Sequence, residues 1–559
     1  MLIKFFKLVL ILLFYQAPLY SKSKTLNDFN LHHLSNYFSG IVAYENNENF
    51  KALKFFKSSK YLIKQHNFYL QNYVYTLVLE GKVQQATNEI KQNITKNNSN
   101  FFEAHLILAI DRLKKKDYKK SKEHLQKSYE FINNDRLSLV IAETLKQYLY
   151  VFEENKISKK KSKFGDFSLI NEVFQKCYLK DKNTKAHFNN LINLKNEDYF
   201  RYIFFYINYL IENDEYDEAK NITDNLDYLN SSLLISQGKK WIEDRRSEEF
   251  KKIFSCRNTT DIISEFFFLV SNIYSSQNNY EKSNFYLNIS HYLNPKFTFN
   301  LSLLAENYYL NKDYIKTLKI LKSFNKKDEF YYWFKLKKEA QIISEEDKSK
   351  SLNFINSNFK KIKNPSIKIV FDIANFNKNA KKYREAIKYY DQIISKIKNK
   401  PQLYAEILYR RGSSYERLGD YVSSDRDLLK SLEVNPGDAY VLNYLAYSWL
   451  EREYKIDLSL QMLEKAYAAQ NNDPYIIDSI GWAYYLIDDF MKAENFLKRA
   501  VQLMPEDPIV NDHYGDILWK LGRKIQARYF WQNVLNLEKT EDQMKKDIND
   551  KLIAGLSNS

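Results

Sequence analysis

In residues 474 to 507, PYIIDSIGWAYYLIDDFMKAENFLKRAVQLMPED, apolar side chains recur at intervals of three and four. That spacing lines one face of an α-helix, so the stretch predicts two short amphipathic helices with a turn between them and a stop at the proline. Counting from Gly481, Tyr484 follows after three residues, Ala493 after twelve, Leu497 after sixteen, Ala500 after nineteen and Pro505 after twenty-four. The pattern returns 35 residues upstream at Ala446, a further 34 upstream at Gly412, and 34 downstream of Gly481 at Gly515. The Gly412 copy carries Tyr415, Gly419, Tyr421, Leu428 and Pro436 in register, and the Gly515 copy carries Gly522, Ala527 and Trp531. A fixed period near 34 residues is the signature of a repeat array, whose units bury their apolar faces only by stacking.

The small positions have a physical reason. Gly412, Ala446, Gly481 and Gly515 in the first helix, with Ala493, Ala500 and Ala527 in the second, stand where two helices cross, and larger side chains there would push the helices apart. Upstream the signal fades but persists. Gly40, Val74 and Ala109 lie 34 and 35 residues apart, each followed after twelve residues by Ala52, Ala86 or Ser121, and Ser271 and Ala305 repeat the interval. Fainter copies surround Ala219 and Ala386.

This pattern resembles the tetratricopeptide repeat (TPR), strongly over 405 to 541 where four copies agree in phase. The resemblance implies an all-α solenoid of helix-turn-helix units wound into a right-handed superhelix. The expected organisation is a signal peptide over 1–23, TPR-like repeats over 24–135, an irregular helical and basic segment over 136–199, degenerate repeats over 200–400, a well-formed array over 401–541 and a C-terminal tail over 542–559.

Composition changes the picture in three ways. An aromatic share of 16% with only 11 Gly and 8 Pro suits helix pairs and argues against sandwiches, barrels and disorder. The abundance of Lys, Asn, Ile, Phe and Tyr fits a biased source genome, so single Lys or Asn residues carry no weight. The start, MLIKFFKLVLILLFYQAPLYSKS, sets Lys4 and Lys7 before an apolar stretch and then small residues at Ser21 and Ser23, the layout of a secretory signal. An uncleaved anchor is the alternative, although the apolar run is short for a span. The chain is therefore expected to be exported, and to be periplasmic or peripheral to the envelope membrane.

Net charge is +16, yet Pro401 to Lys539 holds 21 acidic against 16 basic residues, so the positive excess lies elsewhere, as in KKKDYKK at 114 to 120 and KISKKKSK at 156 to 163. Such runs read as solvated faces, or as attraction to anionic lipid or cell-wall polymer, and no nucleic-acid partner is expected. Cys177 and Cys256 either pair, as an exported protein allows, or remain two buried thiols. No CxxC or HExxH occurs. His513 lies beside Asp512 and Asp516, but no Ser or Cys nucleophile occupies a partner motif. No catalytic residues, metal ligands or cofactor are expected.

What the repeats offer is a groove lined by first helices. Stacking brings Asn443, Asp478 and Asp512 into one row, Tyr447, Trp482 and Asp516 into a second, and Leu450, Tyr485 and Trp519 into a third. Carboxylates and amides can hydrogen-bond an extended peptide while Tyr and Trp supply broad apolar contact. The competing reading pairs the acids with neighbouring helices and places the aromatics in the core.

A closer resemblance rests on RGSSYERLGD, VLNYLAYSWLE, IIDSIGWAYYL, AVQLMPEDP and VNDHYGDILWKLGR. These motifs are similar to those of exported proteobacterial TPR proteins, some of which are outer-membrane lipoproteins that hold a carboxyl-terminal processing protease and its cell-wall hydrolase substrates. This chain differs in lacking a lipidation cysteine near its start. The resemblance implies a non-enzymatic protein-binding adaptor of the cell envelope, with a protease or cell-wall hydrolase as partner. The alternative is a structural envelope protein that contacts polymer or lipid through its basic N-terminal half.

Overall fold

The computed structural model describes residues 31–556 except 65, 67, 95–99, 133–134, 159–163, 194–199, 227–228, 230 and 398–399. The expected signal peptide and most of KISKKKSK lie outside the described residues. Among those described there are thirty α-helices and no strand, arranged as a TPR-type helix-turn-helix solenoid. The chain divides into two units, one of residues 1–226 with 231–335 and the other of 227–230 with 336–559.

The first unit opens with three antiparallel pairs: Leu31–Glu45 with Asn49–Ser58, Tyr69–Leu79 with Val83–Asn93, and Phe102–Lys114 with Tyr118–Ser128. A later helix of the same unit, Tyr280–Leu293, covers the inner face of these pairs. The Tyr75 and Phe285 rings stand 4.7 Å apart. Lys114 donates to the Tyr292 carbonyl oxygen at 2.8 Å, and the Tyr44 hydroxyl donates to Glu281. Tyr44 and Tyr75 follow Gly40 and Val74 by four and one residues, the offsets at which Tyr485 and Trp482 follow Gly481. These groove positions of the first two repeats are thus occupied by their own chain.

The described residues of 136–199 form three helices, Arg136–Glu154, Asp166–Tyr178 and Thr184–Ile192. Of the two states open to the cysteines, the structure adopts the disulfide Cys177–Cys256, which spans a sequence separation of 79. The unit also holds a charge pair whose carboxylate is fully buried. Arg201 meets Glu265 through Nε at 2.7 Å and Nη2 at 2.8 Å, gives a third bond of 2.7 Å to Asn300 Oδ1, and stacks 3.8 Å above the Phe268 ring.

The second unit ends in the four clear repeats: Pro401–Glu416 with Tyr421–Val434, Ala439–Leu450 with Ile456–Ala469, Pro474–Leu486 with Phe490–Leu503, and Pro508–Lys520 with Lys524–Asn536. Their starts are fixed locally. Asp438, Asp473 and Asp507 each accept two backbone N–H bonds as N-caps, and Pro474 and Pro508 take the first helical position, where the missing donor costs nothing. Seven residues after each small position comes a residue in the left-handed region, Gly419, Glu453, Asp488 and Gly522. Only two of the four turns use the glycine that this geometry favours.

The helix crossings lie where the period places them. A Cβ added at Gly481 would sit 2.8 Å from Leu497, one at Gly412 would sit 3.0 Å from Leu428, and one at Gly515 would sit 2.5 Å from Trp531 Nε1. Ala446, Ala493, Ala500 and Ala527 are fully buried. Gly481→Leu or Ala500→Trp should therefore cost roughly 1–3 kcal/mol or more through overpacking. Thermal melts of both variants that match the parent would show that these positions are not at the crossings.

The stretch set apart as a C-terminal tail holds a helix, Asp542–Ala554. It begins 34 residues after Pro508, buries Ile548, and takes the next first-helix slot beside Lys524–Asn536.

Candidate partner-binding groove

Along the Pro474–Leu486 helix, Tyr475, Asp478, Trp482 and Tyr485 are spaced by three, four and three residues and share one stripe. Stacked with its neighbours, this stripe forms the inner face of the array. The structure divides the expected groove residues into two groups there.

The acids are held within the chain. Asp478 is buried and its Oδ2 accepts from His513 Nδ1 at 2.9 Å across the repeat boundary. Asp512 accepts from Lys551 at 2.6 Å, and buried Asp516 takes the same ammonium at 2.8 Å on both oxygens and Trp531 Nε1 at 2.9 Å. Asp478 and Asp512 of the first row and Asp516 of the second are therefore held in cross-repeat ion pairs, which is the competing reading for these three side chains. Burial alone would lower the His513 pKa, but the charges of Asp478, Asp512 and Asp516 outweigh it and raise the imidazole to about 9. Burial, then the adjacent Asp512 charge, pushes the Asp516 carboxyl upward against the pull of Lys551.

The aromatics remain at the face. The Trp482 ring lies 4.1 Å from His513 and 4.6 Å from Tyr485 with planes nearly parallel, making a three-ring stack. Tyr447 is half-buried with its ring 6.3 Å from His513, and Asn443 is half-buried with Oδ1 unpartnered. Trp519 packs on Trp531 at 5.3 Å, and Gly555 lies so close to it that a Cβ there would overlap its ring. Leu450, expected in the third row, is 1% exposed and belongs to the core.

One row escaped the sequence reading. Tyr440, Tyr475 and Ile509 occupy the second position of three successive first helices and are 53%, 58% and 45% exposed. They are the most open apolar side chains on the stripe. Their 35- and 34-residue spacing was visible, as was the interval of three from Tyr475 to Asp478.

This face presents exposed apolar and half-buried aromatic side chains. Its one imidazole is buried, stacked on indole and held by a carboxylate, with no hydroxyl or thiol nucleophile bonded to it. Among the described residues no group of three or more His, Cys, Asp or Glu side chains is placed to hold a metal ion, and no helix is long and apolar enough to cross a membrane.

Comparison with known proteins finds tetratricopeptide repeats. A tetratricopeptide repeat profile matches residues 405–438. A TPR repeat-containing protein of Pseudomonas aeruginosa, PA4667, is 29% identical over 110 residues, which cover 20% of this chain and 18% of that relative. The chain thus matches less than a fifth of the curated relative. Among solved structures, MamA from Desulfovibrio magneticus RS-1 is 24% identical over 32% of this chain and 97% of its own, with a TM-score of 0.27. The TPR protein TTC0263 of Thermus thermophilus is 16% identical over 34% of this chain and all of its own, with a TM-score of 0.30. What the comparisons place on this chain is a tetratricopeptide repeat over residues 405–438.

Proposed function

We propose that this protein is a non-enzymatic scaffold of the bacterial cell envelope that holds a protein partner on the inner face of its C-terminal repeats. The observation that carries the reading is the open apolar row Tyr440, Tyr475 and Ile509, which runs beside half-buried Tyr447, Trp482 and Tyr485. The equivalent face of the N-terminal repeats is filled by helix Tyr280–Leu293, which leaves the C-terminal face as the one presented. Export is supported by the disulfide, since such bonds persist in oxidising compartments. The motif resemblance makes a carboxyl-terminal processing protease or a cell-wall hydrolase the partner class to look for.

Tyr440→Ala with Tyr475→Ala tests the reading. Exposed substitutions usually change stability by less than about 0.5 kcal/mol, whereas loss of anchoring aromatics costs about 2 kcal/mol or more in binding. Capture of a protease or hydrolase from envelope extract should fall by at least about tenfold while helicity and melting stay at the parent's values. Unchanged capture rejects the face, and retention on peptidoglycan or lipid alone favours contact through the basic N-terminal half.

A further inference from the structure

The inner face changes character at its upstream end, where cations rather than acids gather. Glu406, Arg410, Ser413 and Arg417 are spaced by four, three and four residues, so they form one stripe on and just beyond the Pro401–Glu416 helix. Lys378, near the end of the preceding first helix Ile367–Asn379, reaches across the repeat boundary and donates to Ser413 Oγ at 2.5 Å. Ser413 in turn donates to the Arg410 carbonyl oxygen at 2.9 Å, and its own carbonyl accepts from Arg417 N at 3.4 Å. Lys378 thus meets one buried hydroxyl on a stripe that also carries Arg410 and Arg417.

The local acids are already engaged. Glu406 binds Arg410 at 2.8 Å, and Glu416 accepts from the Tyr444 hydroxyl at 2.8 Å with Arg417 at 3.5 Å. Lys378 is half-buried and pairs with no carboxylate among the described residues. A half-buried ammonium satisfied by a hydroxyl, with two arginines on the stripe it meets, is short of negative charge. Burial, with repulsion from Arg410 and Arg417, lowers the Lys378 amine to about 8 despite Glu406 and Glu416. Aromatic side chains continue from this point toward the open row: Tyr409 and Tyr444 meet edge to face at 5.8 Å, and Tyr440 is exposed one repeat further on.

We propose that Lys378, Arg410 and Arg417 form an anion subsite at the upstream end of the groove, which takes side-chain carboxylates of an acidic, extended segment of the protein partner. The inference rests on the groove reading above and adds the partner's chemistry and direction. Its acidic residues lie over Lys378, and its apolar residues run downstream across Tyr444 and Tyr440 toward Tyr475. The excess of cations selects carboxylates over lysine-bearing segments by charge.

The probe is tetraglutamate with an amidated C-terminus and a fluorescent N-terminal label, titrated into the full-length protein at low salt, with tetralysine as control. Tetraglutamate should bind and tetralysine should not, and affinity should fall as salt rises. Lys378→Met should weaken tetraglutamate at least tenfold, while Lys378→Arg keeps most of the affinity. A readout on the unaltered chain guards against a folding defect: saturating tetraglutamate should protect Lys378 from acylation, followed by mass spectrometry. Equal binding to parent and Lys378→Met, or undiminished acylation, would overturn the proposal. So would binding only of a peptide whose sole carboxylate is its C-terminus. If these results fail while Tyr440→Ala with Tyr475→Ala still releases the captured partner, the subsite is wrong and the groove reading stands.

Discussion

Replacing Glu265 with alanine is expected to destabilise the protein by about 3–5 kcal/mol, because it strands the Arg201 guanidinium in an apolar setting. Glu265 is buried, and Arg201 sits among Phe205, Phe268 and Phe297 with Asn300 as its remaining polar partner. The Arg201 side chain keeps 19% of its exposure, which places the expected cost toward the lower end of that range. The measurement is the urea midpoint at constant slope. The double variant Arg201→Met with Glu265→Met should recover most of the loss, since well-packed apolar side chains replace a buried pair at little cost. A single variant within about 1 kcal/mol of the parent would mean that water or another group reaches Arg201 and shields it.

The array was legible in the sequence because its crossings admit only small side chains. Gly481 faces Leu497 and Gly515 faces Trp531 at distances that exclude a Cβ, so the period was written into residue size. The turns were half legible: glycine marks Gly419 and Gly522, whereas Glu453 and Asp488 adopt the same left-handed backbone without a compositional sign. The covering of the N-terminal groove was not legible. It depends on contacts such as Tyr44 with Glu281 and Gln84 with Tyr292, which join residues more than two hundred positions apart and follow no period.

For the site, periodicity placed the stripe but not the state of its members. Position alone put Asp478, Asp512 and Asp516 on the inner face, while their partners His513 and Lys551 come from the next repeat, and Lys551 from a segment that looked like a tail. Leu450 failed for a related reason. It shares the register of Tyr485 and Trp519, yet its apolar side chain packs into the core. Lys378 was hidden by composition, since single lysines carry little weight in a lysine-rich chain, and its meaning comes only from Ser413, Arg410 and Arg417 around it.

The His513–Asp478 pair should make stability fall as pH rises from about 6.5 to about 9. His513 is buried between the Trp482 ring and the array, with Asp478 bonded to Nδ1 and the charges of Asp512 and Asp516 nearby, so the folded state holds its proton more tightly than the unfolded chain does. A raised histidine pKa contributes stability that is fully present below the unfolded value and is lost as pH passes the folded one. A rise from 6.5 to about 9 corresponds to roughly 3 kcal/mol at about 1.36 kcal/mol per pH unit. Lys378 works in the opposite sense, since its folded pKa is lowered to about 8 and the unfolded chain binds its proton more tightly. The parent's total pH profile therefore mixes the two, and the informative quantity is the difference between parent and His513→Gln. The parent should exceed the variant by roughly 3 kcal/mol at pH 6, and the gap should close by pH 9. Urea midpoints at the two pH values read it directly. A gap that stays constant from pH 6 to pH 9 would show that His513 is not charged in the fold, and the ion pairs along the inner face would then begin at Lys551 rather than at His513.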